Sequence, residues 1–154
     1  MSIYSPTPSP LAGRMLAIFR IVAGVMFIAA GTMKLFNYPA NPMPGMPAIE
    51  LWSQMGIGGM LEIVGGTLVV LGLLTRPAAF ILAGEMAVAY FQFHQPTAFW
   101  PNANGGVAAV MYCFFYLYLM VAGAGDWSLD GVIHRSRGTR RAPATPAALR
   151  TASA

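Results

Sequence analysis

The sequence predicts an all-α integral membrane protein, a four-helix transmembrane bundle. Composition is the first reason. Hydrophobic residues make up 56% of the 154 residues and charged residues 9%, whereas a soluble domain carries about 45–50% and about 25%. Nine Lys and Arg with five Asp and Glu are too few charges to coat a soluble sphere of this size. The second reason is four apolar runs close to the about 20 residues that cross a hydrocarbon core. The third is that none of them alternates in period two, as a barrel strand would. Disorder is excluded by the hydrophobicity, and the length fits one domain. The lone Cys113 excludes an intramolecular disulfide and any Cys-x-x-Cys site.

Residues 1–13, with Ser-Pro-Thr-Pro-Ser-Pro, read as a disordered cytoplasmic N-terminus, and residues 14–134 as the helical domain. The first helix is expected over about 15–35 and carries Arg20 and Lys34. Its Arg14, Arg20 and Ala29-Ala30-Gly31 also fit a signal peptide, but three later runs hold the chain in the membrane either way. The second helix, about 56–74, carries Glu62. The third, about 77–93, opens on Pro77, where a missing N–H costs nothing, and carries Glu85. The fourth, about 107–125, carries Tyr112 and Phe115. Each extends ~25–28 Å at ~1.5 Å per residue. Asp126 is placed to cap a short helix running to about His134, and 135–154 reads as a basic, disordered cytoplasmic tail with weak attraction to anionic lipid.

Orientation follows from the cations. Arg14, Arg20, Arg76 and the tail arginines fall on one side, and Lys34 alone falls on the other. Both termini are therefore expected in the cytoplasm. Trp52 and Trp100 then anchor the outer interface and Trp127 the inner one.

Ionisable groups inside a membrane face protein or water rather than lipid. On the first helix Ala17, Gly24 and Gly31 recur every seven residues, and Arg20, Phe27 and Lys34 recur at the same interval. Small residues let helices approach closely, so both cations lie on the packing stripe. Equivalent stripes run through Gly58, Glu62, Gly65, Val69 and Gly72, through Ala78, Leu82, Glu85, Ala89 and Gln92, and through Tyr112, Phe115 and Leu119. Depth pairs Lys34 with Glu62 towards the outside and Arg20 with Glu85 more deeply. Such pairs either fix helix register or build a ligand site.

His94, beside Gln92 and Gln95, is either an interfacial side chain or a proton relay, because histidine exchanges protons near neutrality. Tyr112, Tyr116 and Tyr118 with Phe114 and Phe115 read as helix packing first and as the wall of a flat-ligand pocket second, with Tyr112 and Phe115 as the pocket candidates. His134 lies on the opposite side from His94, which excludes an axial haem pair. No residue spacing suggests a metal site, and no folded basic surface suggests nucleic acid.

The segment Arg20-Ile-Val-Ala-Gly24-Val-Met-Phe27-Ile-Ala-Ala-Gly31-Thr-Met-Lys34-Leu-Phe36 resembles the opening pattern of the DoxX family of small four-helix bacterial membrane proteins. Glu62 to Arg76, Trp100-Pro-Asn-Ala-Asn-Gly105-Gly106 and Gly123-Ala-Gly125-Asp126-Trp127-Ser128-Leu129-Asp130 are also similar to that family, so the likeness covers about 14–132. Many relatives place Glu directly after the Gly-Gly pair, where this chain has Val107.

The resemblance implies a multi-pass protein of the bacterial inner membrane, linked to quinone or sulfur redox chemistry. It implies peripheral redox or sulfur-transfer enzymes as partners. Arg20 and Lys34 would then face a quinone carbonyl, Glu62, Glu85 and His94 would exchange protons, and Tyr112 and Phe115 would stack on the ring. No flavin motif, haem ligand pair or thiol pair is present, so electrons would come from a partner, and no covalently bound cofactor is expected. Two alternatives stand beside this. One is a small proton-coupled transporter using Glu62 or Glu85, which favours a homo-oligomer. The other is a membrane scaffold for peripheral enzymes.

Overall fold

The computed structural model describes residues 11–40 and 49–139. Six α-helices follow in order: α1 Ala12–Phe36, α2 Gln54–Leu71, α3 Thr75–Ala89, α4 Pro101–Asn104, α5 Val107–Ala122 and α6 Leu129–Thr139. A π-helical turn, Tyr90–His94, continues α3. No strand occurs among the described residues. Two helices, α1 and α2, are long and apolar enough to cross a membrane, and α5 is apolar but shorter.

The helix ends follow local chemistry. The Ser53 hydroxyl accepts from the Gly56 N–H at 3.1 Å and opens α2, as an N-cap serine does. Gly72, at φ +63°, closes it, with Leu73 N–H donating back to the Leu68 carbonyl at 3.0 Å. This left-handed glycine stop ends α2 three residues short of the expected 74. Gly123 ends α5 before the expected 125 at φ +86° and ψ −167°, a positive-φ conformation different from that of Gly72. Pro77 is the third residue of α3 rather than the first, still within the turn whose N–H groups lack helical acceptors.

Several boundaries move outward. α1 starts at Ala12, inside the stretch expected to be disordered, and α6 runs to Thr139, into the expected tail. Ser128, not Asp126, caps α6, accepting from the Gly131 N–H at 3.2 Å. The remaining expectations for residues 1–10 and 140–154 lie outside the described residues.

α1 packs on α2 through glycines. A Cβ on Gly24 would stand 2.8 Å from the Gly66 carbonyl, one on Gly66 2.8 Å from the Gly24 carbonyl, and one on Gly31 2.5 Å from the Gly59 carbonyl. The two chains therefore touch backbone to backbone, antiparallel, at glycines spaced seven apart on each helix. Gly65 instead makes room for the Leu82 side chain of α3, whose Cδ2 would stand 2.7 Å from a Cβ there. The core gathers Phe27, Val69, Leu82, Met86, Tyr116 and Leu119 around small alanines of α3 and α5. Phe19, Val22 and Met26 of α1, Phe80 and Phe91 of the third segment, and Phe114, Tyr118 and Val121 of α5 all face outward.

The predicted stripe of α1 is the buried one: Ala17, Arg20, Gly24, Phe27 and Gly31. The stripe of the third helix holds only to Ala89. The wider π turn changes the register there and leaves Gln92 exposed, where its side-chain carbonyl accepts from Gln54.

Candidate functional site

Four helices bring polar side chains together towards the Lys34 end of the molecule. Lys34, near the end of α1, extends its ammonium to Glu62 of α2, donating to Oε1 at 2.7 Å. The Lys34 side chain is 30% exposed and that of Glu62 only 4%. The pair therefore runs from the surface into the protein. Glu85 of α3 lies within electrostatic reach of both Glu62 and Lys34. A Cβ on Gly58 would sit 3.2 Å from Glu85 Oε1, so the glycine makes room for that carboxyl group.

Tyr116 of α5 is fully buried and lies within electrostatic reach of both carboxyl groups. Glu62 Oε2, Glu85 Oε2 and the Tyr116 hydroxyl are all buried with no hydrogen-bond partner among the described residues. Buried polar atoms are normally satisfied, so each exception needs a reason. Three of them lie around one ion pair, which leaves donor and acceptor positions there unfilled by the described residues.

An aromatic wall adjoins the cluster. The Phe27 ring meets the Tyr112 and Tyr116 rings edge-on, each at 4.8 Å. Tyr112 stacks on Tyr116 at 6.2 Å, and Phe115 meets Tyr116 at 5.5 Å. Tyr112 and Phe115 thus occupy the expected region, but Tyr116 carries the buried, unpartnered hydroxyl within electrostatic reach of the two carboxyl groups.

Arg20 is not part of this site. Its expected pairing with Glu85 does not occur. The guanidinium is fully buried and, among the described residues, donates only to backbone: Nε to Ala124 at 2.8 Å, Nη1 to Val70 at 2.7 Å and also to Val69, and Nη2 to Trp127 at 3.0 Å. The carbonyls in the last turn of a helix lack intrahelical donors and carry partial negative charge. They lie beside Arg20, whereas Glu85 stands about 15 Å along α3 from Thr75. Arg20 therefore clasps the end of α2 to the loop between α5 and α6.

Asp130 completes this end. Its Oδ1 accepts from the Leu74 N–H and its Oδ2 from the Thr75 N–H, both at 2.9 Å. Burial alone would raise this carboxyl group, but the hydrogen bonds from Thr75 and Leu74 outweigh it and hold Asp130 below its usual range. Asp130 thereby caps the first turn of α3.

His94 is drawn elsewhere. Its Nδ1 lies 3.1 Å from the Asn104 carbonyl, in the connection that carries α4. Val107 is exposed at the start of α5. Among the described residues, no group of three His, Cys, Asp or Glu could hold a metal ion.

Long apolar helices, close glycine contacts and a buried polar cluster define an all-helical membrane protein. The chain belongs to the DoxX family, whose model matches residues 15–95. It is 44% identical to an uncharacterised protein of Haemophilus influenzae, over 75% of this chain and 87% of the relative. It is 33% identical to an uncharacterised membrane protein of Mycobacterium tuberculosis, over 72% of this chain and 76% of the relative. It is also 26% identical to the inner membrane protein YqjF of Escherichia coli, over 77% and 91%. No solved structure matches it.

Proposed function

We propose that the protein is the membrane subunit of a redox complex and that the Lys34, Glu62, Glu85 and Tyr116 cluster is its quinone-facing, proton-exchanging centre. One observation carries this reading: three buried, unpartnered oxygens surround one ion pair. A quinone is flat and presents carbonyl acceptors. Lys34 and Tyr116 are donors, and Phe27, Tyr112 and Phe115 supply ring faces and edges. The residues present therefore fit such a ligand. When bound, a quinone supplies two-electron, two-proton redox chemistry. The chain contributes donors that orient a carbonyl, carboxyl groups that hold or release a proton, and apolar walls that exclude water.

In this reading α1, α2, the third segment Thr75–His94 and α5 all cross the membrane. Outward-facing aromatic and aliphatic side chains on α1, α3 and α5 support it, as does the concentration of arginine at the Arg20 end. That end, with both termini, faces the cytoplasm. A peripheral partner supplies or removes electrons.

The test is a titration of the protein in nanodiscs with a ubiquinone or menaquinone analogue, read by Trp fluorescence. Trp52 and Trp100 are exposed reporters. Saturable binding that is lost in Glu62→Gln and Tyr116→Phe supports the proposal. Binding unchanged in both variants refutes it.

A second reading has its own support. Glu62 and Glu85 sit on neighbouring helices within electrostatic reach of each other and of one ammonium, that of Lys34. That arrangement also suits proton-coupled transport. Flux driven by a proton gradient, with no analogue binding, would select it.

A further inference from the structure

We propose that the cleft between α3, α5 and α6, at the Arg20 end, is a binding site for a phosphate-bearing headgroup, with Arg76 as its main cation. The proposal rests on the crossing arrangement above but not on quinone binding, which concerns the other end of the molecule.

The cleft has a volume of 590 Å³ and is lined by Thr75, Arg76, Gly123, Asp130 and His134 among others. Small-molecule sites commonly fall in the range of about 300–1,000 Å³. Gly123 forms one wall. A Cβ there would stand 3.7 Å from Nε and Nη2 of Arg76, so its absence leaves the guanidinium uncovered on that side. Arg76 makes no ion pair among the described residues.

The acidic residue in the cleft keeps its charge but is engaged by other partners. Both Asp130 oxygens accept backbone N–H groups at 2.9 Å, and Arg20 also acts on that carboxylate. His134 adds a second basic side chain to the lining. Arg76 is thus an exposed cation lining the cleft, with an unused fork that matches phosphate geometry.

Depth identifies the ligand class. The cleft lies where α3 begins and α5 ends, the level at which crossing helices meet lipid headgroups. Trp127, Leu129 and Val132 are exposed beside it, as suits a short helix lying in the interface. Basic pockets between membrane helices on the cytoplasmic side take phospholipid headgroups. The shared chemistry is a phosphate ester, which a lipid or a soluble metabolite can present.

The test titrates the full chain in detergent with phosphatidylglycerol, and separately with inorganic phosphate, counting bound lipid by native mass spectrometry. Saturable phosphatidylglycerol binding is expected, roughly fivefold weaker in Arg76→Gln and retained in Arg76→Lys. Ala122→Phe adds bulk to an exposed position of the lining and is expected to weaken binding without removing charge. Competition by inorganic phosphate assigns the site to phosphate as such; absence of competition assigns it to the lipid. Equal phosphatidylglycerol binding by the parent chain, Arg76→Gln and Ala122→Phe overturns the proposal.

Discussion

Lys34 Nζ donates to Glu62 Oε1 at 2.7 Å, joining a side chain that is 30% exposed to one that is 4% exposed. The bond links the surface to a carboxyl group inside the helices. Removing one partner of a fully buried pair costs about 3–5 kcal/mol because the other charge is left uncompensated. Exposure of the lysine screens this pair. Lys34→Met should therefore destabilise the protein by about 1–3 kcal/mol. Adding Glu62→Gln to it should recover part of that loss, because the orphaned charge is gone. A double-mutant cycle in detergent unfolding checks this; fully additive single effects would show that the two groups act independently.

Glycine contacts predict a second outcome. Gly31 has no room for a Cβ against the Gly59 carbonyl, whereas Gly84 has nothing within 4 Å. Gly31→Ala should cost about 1–3 kcal/mol through overpacking. Gly84→Ala should be neutral or stabilising by up to ~1 kcal/mol. Thermal unfolding of both variants in one detergent makes the comparison.

The Arg20 clasp predicts a third. Arg20→Lys keeps the charge but loses the planar fork that reaches carbonyls on two sides. Hydrogen bonds to charged groups are worth about 1.5–3 kcal/mol each, so a loss of several kcal/mol is expected. Amide exchange should rise at Trp127 to Asp130 and stay low around Glu62. Unchanged exchange in the α5–α6 connection would contradict the clasp.

Asp130 gives a pH dependence. Its carboxyl group is held below the ordinary value, so its stabilisation is present above the unfolded-state range and is lost as pH falls through the lowered value. Asp130→Asn replaces one of the two accepting oxygens by an amide NH2, so it should cost about 1 kcal/mol near neutrality and flatten the acid limb of the stability curve. Thermal unfolding from neutral to acidic pH measures both effects.

The seven-residue repeat of Ala17, Gly24 and Gly31 was enough to orient α1, because close helix contact demands small residues at a fixed interval. The same repeat turned Arg20 and Lys34 inward correctly. Lys34 found Glu62 because both partners carry visible charges. Arg20 did not follow that logic, because its partners are backbone carbonyls, which no residue type announces. The stripe through Tyr112, Phe115 and Leu119 omits Tyr116, although Ala109, Tyr112, Tyr116 and Leu119 follow a 3-4-3 spacing that marks it as inward. His94 stands at the end of the third helical segment, where the sequence places it, but the π turn Tyr90–His94 changes the register beyond Ala89 and its ring meets the Asn104 carbonyl; apolar periodicity alone does not reveal such a turn.

The centre at the Lys34 end is tested most directly by counting protons. A pH indicator would follow the protein in nanodiscs as a quinone analogue is added in the dark, without an electron donor. The account predicts proton uptake or release on binding in the parent chain, abolished in Glu85→Gln and Glu62→Gln and unaltered in Arg76→Gln. The same proton exchange in both glutamate variants would contradict it.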